Sequence, residues 1–283
     1  MKTSVTFLVG CVTLLGISQG SAQLFQDQMN NGAAWGVNSS GPDYLATWNY
    51  DYSANGIPEA PNSQGGDAAT RGLKMEANLF DGSSSFFTAY PTGQNFVGSY
   101  QLRFDAYMSY GTVGTTEFLG GGISYNGTDA DLTSGSQAIA TGDGGSSVDW
   151  RAFDAGGAGY IPVANASSEP FVSFLPSVNG SEAGTPGFQW ITWEFNVLEG
   201  DVSIFIEKPD LSRLEVTSFT PVVSTDGNIS LFYADFFSSV ADPEADTFGI
   251  IDSVVVNAIP EPTTAALVLI GGAGLLVRSR RRQ

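Results

Sequence analysis

From Tyr100 to Tyr110 the chain reads YQLRFDAYMSY, and its large apolar side chains recur at every second residue. Tyr100, Leu102, Phe104, Ala106, Met108 and Tyr110 share one face, while Gln101, Arg103, Asp105, Tyr107 and Ser109 share the other. Successive side chains of an extended strand point to opposite sides of a sheet, so this pattern predicts a long, half-buried strand. LKMEANL repeats the pattern, with Leu73, Met75, Ala77 and Leu79 inward. QWITWEFNVLEGDVSIFIE reads as a hairpin: Ile191, Trp193, Phe195 and Val197 alternate before a turn around Glu199, Gly200 and Asp201, and Val202, Ile204 and Ile206 alternate after it. Asp226-Gly227, a dipeptide suited to a tight primed turn, suggests a second hairpin between VVST and NISLFY. FGIIDSVVVN supplies a last strand, whose apolar face Asp252 interrupts, as a bulge or a local polar contact would require.

From Leu24 to Asn257 no helical period competes with this alternation. Many short strands separated by turn signals predict an all-β chain folded as a jelly-roll-like β-sandwich. The stretch from Gly111 to Gly159 holds 13 of the 35 glycines, in runs such as GGG and GDGG, and is expected to form long loops. No internal repeat and no linker divides the 283 residues, so residues 23–257 are read as one domain.

Composition removes whole classes of chemistry. There is no histidine, and the single cysteine, Cys11, lies in the N-terminal apolar run. His general bases, Ser-His-Asp triads, Cys nucleophiles, disulfide scaffolding and His- or Cys-ligated zinc are therefore excluded from the domain. The net charge is -18, and between Gln23 and Pro262 only Arg71, Lys74, Arg103, Arg151, Lys208 and Arg213 face all 29 acids. Such a surface repels nucleic acid and anionic headgroups and attracts cations such as Ca²⁺. It also serves simple solubility.

The two ends read as addresses. Residues 1–22 follow the order of a secretory signal: Lys2, the apolar VTFLVGCVTLLGI, then SQGSA, with Gly20 and Ala22 at the -3 and -1 positions of a cleavage before Gln23. Leu8-Val9-Gly10-Cys11 resembles a lipoprotein lipobox, but the apolar run continues past Cys11 through Ile17, which argues against cleavage there. At the other end Thr263–Val277 is uncharged and is followed by Arg278, Arg280, Arg281 and Arg282. As a helix it would span about 22 Å at ~1.5 Å per residue, short of a hydrocarbon core of about 30 Å, and the arginines would hold the C-terminus on the cytoplasmic side. Pro260-Glu261-Pro262, the small-and-apolar TTAALVLIGGAGLLV and RSRRR together resemble the PEP-CTERM sorting signal of bacterial exported proteins. The resemblance, over residues 258–283, implies handling by an exosortase, a membrane protease or transpeptidase. It also implies transient inner-membrane insertion, removal of the tail, and delivery to the cell surface or an extracellular matrix. The prolines keep a helix from running back into the domain and leave an extended segment at the membrane face.

The last third, with its Trp-containing strand, the EGDVSIFIE hairpin and DGNISLFYADFFSSVADPEADTFGIIDSVVV, resembles the concanavalin-like jelly roll of legume lectins, laminin G-like modules and related glucanases. Jelly-roll glucanases carry a Glu-x-Asp-x-x-Glu strand as nucleophile, tuning residue and general acid. Here Glu194-Phe195-Asn196-Val197-Leu198-Glu199 has Asn196 at the centre and Glu199 at a turn, so no catalytic residue is assigned. Sugar binding needs only an aromatic plate with carboxylates, amides or Arg beside it. Arg103, Asp105 and Tyr107 on one strand, and Trp190, Glu194 and Asn196 on another, form a candidate glycan site if the two strands share a sheet. The alternative is that Tyr107 and Trp190 pack under loops. Oxygen-rich loops containing Asp129 and Asp131, Asp143, and Asp242, Glu244 and Asp246 are candidates for Ca²⁺, though none has EF-hand spacing.

The sequence thus leads to an exported bacterial surface or matrix protein with a non-catalytic, glycan-binding sandwich and extracellular polysaccharide as partner. A purely structural acidic matrix component is the alternative, and a polysaccharide hydrolase comes third.

Overall fold

The computed structural model describes residues 21–66, 69–80, 82–111, 116–157, 159–238, 240 and 246–260. Residues 1–20 of the expected secretory signal and the tail from Glu261 onward, with Pro262 and the arginine cluster, lie outside the described residues.

Two antiparallel sheets face each other. The first has the order β13 (Arg213–Phe219), β12 (Asp201–Glu207), β11 (Ile191–Leu198), β6 (Tyr100–Ser109), β15 (Phe248–Ala258), β4 (Arg71–Ala77) and β3 (Tyr44–Asp51), with β1 (Gln23–Asp27) also on β15. The second has the order β10 (Gly159–Ala164), β9 (Trp150–Asp154), β8 (Ser136–Thr141), β7 (Glu117–Tyr125), β14 (Asn228–Asp235), β5 (Ser85–Pro91) and β2 (Trp35–Ser39). The chain is therefore the all-β, jelly-roll-like sandwich that its alternation predicts.

The core lies between the inner faces. Leu102, Phe104, Trp193 and Phe195 of the first sheet meet Phe87, Leu119, Trp150, Leu231 and Tyr233 of the second, all buried. Trp150 bridges the layers, its ring 5.6 Å from that of Trp193. Each large apolar side chain removed from water in this way contributes about 1.5–3 kcal/mol.

The β11–β12 hairpin forms where it is expected. Leu198 pairs with Asp201, leaving Glu199 and Gly200 as a two-residue loop. Their φ values are 53° and 93°. Positive φ at both positions is what a primed turn requires to match the twist of the strands. The break at Asp252 is a bulge: pairing with β6 shifts between Asp252 and Val255, and Ser253 has φ 54°. On its other edge β15 passes from β4, opposite Gly249–Ile251, to β1, opposite Val254–Asn257.

Two expectations are corrected. The glycine-rich stretch is not a set of long loops, because it contains β7, β8 and β9, three neighbouring strands of the second sheet. Gly120–Gly122 sit mid-strand in β7, where an added Cβ at Gly120 would lie 2.0 Å from the Ala138 carbonyl oxygen and one at Gly121 2.3 Å from that of Ser230. Only glycine lets the adjoining backbones approach so closely. Nor does Asp226-Gly227 close a hairpin. Residues 222–225 are irregular, and β13 and β14 belong to different sheets. Gly227 instead bridges Phe96, and the Asp226 carboxylate accepts from the Gly98 N–H at 3.1 Å.

Candidate functional site

The two strands read as carrying a glycan site do share a sheet. On the outer face of the first sheet, β6 and β11 pair so that Arg103 lies opposite Glu194 and Asp105 opposite Thr192. Arg103, Glu194 and Asn196 come together but consume one another. The Arg103 Nη1 is 2.7 Å from Glu194 Oε2, and its Nη2 is 2.7 Å from Glu207 Oε1. Arg213 pairs with the other Glu194 oxygen, to which Asn196 Nδ2 also donates at 2.7 Å. Burial pulls the Arg103 guanidinium down, but its bond to Glu207 and the Glu207, Glu194 and Asp105 charges outweigh that and raise it. Glu194 is only 3% exposed and held by two arginines, while Glu199 stands at the exposed hairpin tip. An acid and a nucleophile facing one cleft are not formed from this pair.

Asp105, Tyr107 and Trp190 are covered by the chain itself, which corrects their assignment to an open site. Tyr107 is 7% exposed and Trp190 4%. Both pack with Tyr52, Ile57, Ala60, Phe248 and Ile250 beneath the segment that follows β3. That segment turns over the sheet because Asp51 caps a 3-10 turn at Tyr52–Asn55. Trp190 Nε1 donates to the Pro58 carbonyl at 2.8 Å, and Tyr52 and Tyr107 each set a ring 5.4 Å from the indole. Asp105 is 0% exposed and accepts from Asn62 N (2.8 Å), Asn62 Nδ2 (2.7 Å) and Thr192 Oγ1 (2.6 Å). Burial raises its carboxyl above the ordinary carboxylate value. Asp252, opposite Asp105 across β15, accepts from the Tyr52 hydroxyl at 2.8 Å and is pushed up to about 7, chiefly by burial.

The acidic loops serve their own turns. Asp131 Oδ1 accepts from Thr133 N at 3.0 Å and from the Thr133 hydroxyl, and Asp129 Oδ2 accepts from Asn126 Nδ2 at 2.5 Å. Asp143 accepts from Gly145 N and Thr116 Oγ1, and burial raises its carboxyl. Asp246 is exposed, and Asp242 and Glu244 lie outside the described residues. Among the described residues no three acids converge as calcium ligands would.

An open site lies on the outer face of the second sheet. In β9, Trp150 and Ala152 point into the core, so Arg151 and Phe153 point out. Tyr160 of β10 pairs with Phe153, their rings 5.6 Å apart. Phe86 of β5 and Phe236, just past β14, stand across from them over a floor that includes Phe118, Phe232 and Ile139. Gly120 and Gly122 add no side chain to this face, and the loop through Asp131, Leu132 and Thr133 walls it. The result is a groove of about 570 Å³ lined by Phe86, Asp131, Leu132, Thr133, Arg151, Phe153, Tyr160 and Phe236. Tyr160 is 47% exposed, so about half of it meets solvent. The Arg151 guanidinium lies 4.2 Å from the Phe118 ring centre, and burial lowers its pKa. The sequence signal for this site was the alternation in WRAFD, hidden by reading its glycine-rich surroundings as loop.

No family model matches the chain, and no curated protein is similar enough to count as a relative. Among solved structures, a protein of unknown function with a galectin-like fold from Bacillus subtilis aligns at 10% identity, over 85% of this chain and 97% of that one, with a TM-score of 0.47. The Emp47p carbohydrate recognition domain aligns at 9% identity, over 82% of this chain and 93% of its own, with a TM-score of 0.45. The VIP36 exoplasmic/lumenal domain, in a form bound to Ca²⁺ and Man3GlcNAc, aligns at 11% identity over 80% and 86%, with a TM-score of 0.44.

Proposed function

We propose that this chain is an exported bacterial protein whose sandwich binds glycans without catalysis, and that it does so in the groove on the outer face of the second sheet. One observation carries the reading: a half-exposed Tyr160 beside Phe153, with Arg151, Asp131 and Thr133 in the same lining. Aromatic faces take the C–H side of a sugar ring, and the polar neighbours bond its hydroxyls. The absence of histidine and thiol from residues 23–257, and the engagement of Glu194 by two arginines, support binding over turnover.

Export and sorting belong to the same proposal and rest on the ends of the sequence. The secretory pattern precedes Gln23, where β1 begins, and the Pro-Glu-Pro motif follows Ala258, where β15 stops. The partner of the tail is an exosortase-type membrane protease or transpeptidase, and the destination is the cell surface or the extracellular matrix.

The test is retention of the full chain, held in mild detergent, on a panel of immobilised polysaccharides while released reducing sugar is monitored. Retention without sugar release is expected. Tyr160→Ala should weaken retention about tenfold, the order of a lost aromatic contact with its share of buried area, and leave the melting temperature unchanged. A chelator should have no effect on binding in the groove, because its lining offers one carboxylate, Asp131, where Ca²⁺ takes about six to eight oxygen ligands. No retention on any polysaccharide would leave the acidic structural component as the function, and sugar release would restore the hydrolase.

A further inference from the structure

The groove holds the one cation among the described residues that no carboxylate approaches within 4 Å. Arg71 has Asp51 at 3.5 Å, Lys74 has Glu76 at 2.6 Å, and Lys208 has Asp210 at 3.5 Å. Arg103 is paired with Glu194 and Glu207, and Arg213 with Glu194. Arg151 stands apart, in a chain with 29 acids for 11 bases. A scarcity of partners does not explain it.

The local bonds show what Arg151 has left to offer. Its Nε donates to the Val148 carbonyl at 2.9 Å and its Nη2 to Ser146 Oγ at 2.6 Å. A guanidinium has five N–H donors, so three remain without an acceptor among the described residues, both on Nη1 among them. The carboxylate whose charge it feels, Asp149, is buried and already bonded by Thr141 Oγ1 (2.9 Å), Ser146 N (3.1 Å) and Ala166 N (2.8 Å). Asp131 lines the groove but is turned to its own loop through Thr133. The two anchoring bonds and the Phe118 ring hold the guanidinium in place, partly shielded from water, where a charge-assisted bond is stronger than on an open surface.

We infer that the groove is selective for acidic glycans: a sugar carboxylate, as in a uronic acid residue, docks on Arg151 while the sugar ring packs against Tyr160 and Phe153. This rests on the glycan-binding reading above and names the class of sugar. The net charge of -18 opposes a polyanion at long range. At physiological ionic strength that repulsion is screened beyond about 8 Å, whereas a partly buried contact in the groove is screened much less. The acidic surface also disfavours the non-specific capture of polyanions, so retention of a uronate polymer reports on the groove.

The experiment compares the full chain, in mild detergent and ~0.15 M salt, on immobilised polygalacturonate and on the same polymer after chemical reduction of its carboxyl groups. Polyglutamate serves as a carboxylate without sugar. Polygalacturonate should be retained about tenfold or more better than its reduced form, the scale of one hydrogen-bonded charge contact, and polyglutamate hardly at all. Arg151→Gln should bring the ratio between the two sugar polymers towards one. Equal retention of native and reduced polymer by the unmodified protein would overturn the selectivity and leave glycan binding standing. Retention of polyglutamate equal to polygalacturonate would overturn the sugar component. Failure to retain either sugar polymer, together with the neutral panel, would remove the glycan reading itself. The comparison of native with reduced polymer needs no variant, so it decides the question even if Arg151→Gln does not fold.

Discussion

Asp252 and Asp105 face each other across β15 and β6, both buried, with neutral donors on their oxygens; burial raises the Asp105 carboxyl and outweighs the Arg103 charge, which lowers it. Around Asp252 stand the Tyr52 hydroxyl, the Ser253 N–H and hydroxyl, and the Asp105 carboxyl. An unfolded Asp ionises near 3.8, whereas Asp252 in the fold keeps its proton until about 7. Between those values the folded state binds more protons at Asp252 than the unfolded one, so the stability this carboxyl contributes is full below pH 4 and is lost as pH rises through 7, on the order of a few kcal/mol. Urea midpoints at pH 5 and pH 8 should therefore differ in the native protein and differ much less in Asp252→Asn. Trp190 makes a second prediction at this scale. Because its indole is buried against Tyr52 and Tyr107, Trp190→Ala should cost about 3–5 kcal/mol of stability, read by denaturant unfolding. Any loss of glycan retention should follow the unfolded fraction alone. A Trp on the polar face of a strand looks like a sugar plate in sequence, and only the segment folded over it reveals otherwise.

The elements were legible where alternation involves large side chains. Tyr100–Met108, Ile191–Val197 and Val202–Ile206 each mark an inward face with bulky residues, and β6, β11 and β12 lie there. β7 was not legible, because its centre is Gly120–Gly122 and glycine leaves no pattern of hydrophobicity to read. Its strand character is decided by neighbours: β8 and β14 press their backbones so close that a side chain has no room. Gly120→Ala should consequently destabilise the protein by about 1–3 kcal/mol, as overpacking does, and lower the urea midpoint. The same substitution at Gly200, which has open space around its Cβ position, should act only through its φ of 93°. The hidden strands matter for the proposed function as well, since β9 and β10 carry Arg151, Phe153 and Tyr160.

For the molecule as a whole, the proposed addresses lie in the sequence and the proposed binding surface lies in the fold. If the tail is the sorting signal it resembles, alanine at Pro260, Glu261 and Pro262 together should leave the full-length chain in the membrane fraction, with its mass undiminished, and reduce the amount released. Fractionation and mass measurement check this. Composition excluded thiol, imidazole and His- or Cys-ligated zinc chemistry from residues 23–257 without any coordinates, because no fold can supply a side chain that the domain lacks. Local alternation set the all-β class and the Glu199-Gly200 hairpin, because strand faces and two-residue turns depend on residues close in the chain. Which polar face stays open did not follow from local pattern. Arg103 and Glu194, 91 residues apart, close on each other across a sheet, while Arg151 has no carboxylate within 4 Å among the described residues and lies beside rings contributed by β5, β7, β9 and β10. Pairing and exposure between distant strands are set by sheet order and by the loops that fold back over each face, and these are properties of the tertiary structure alone.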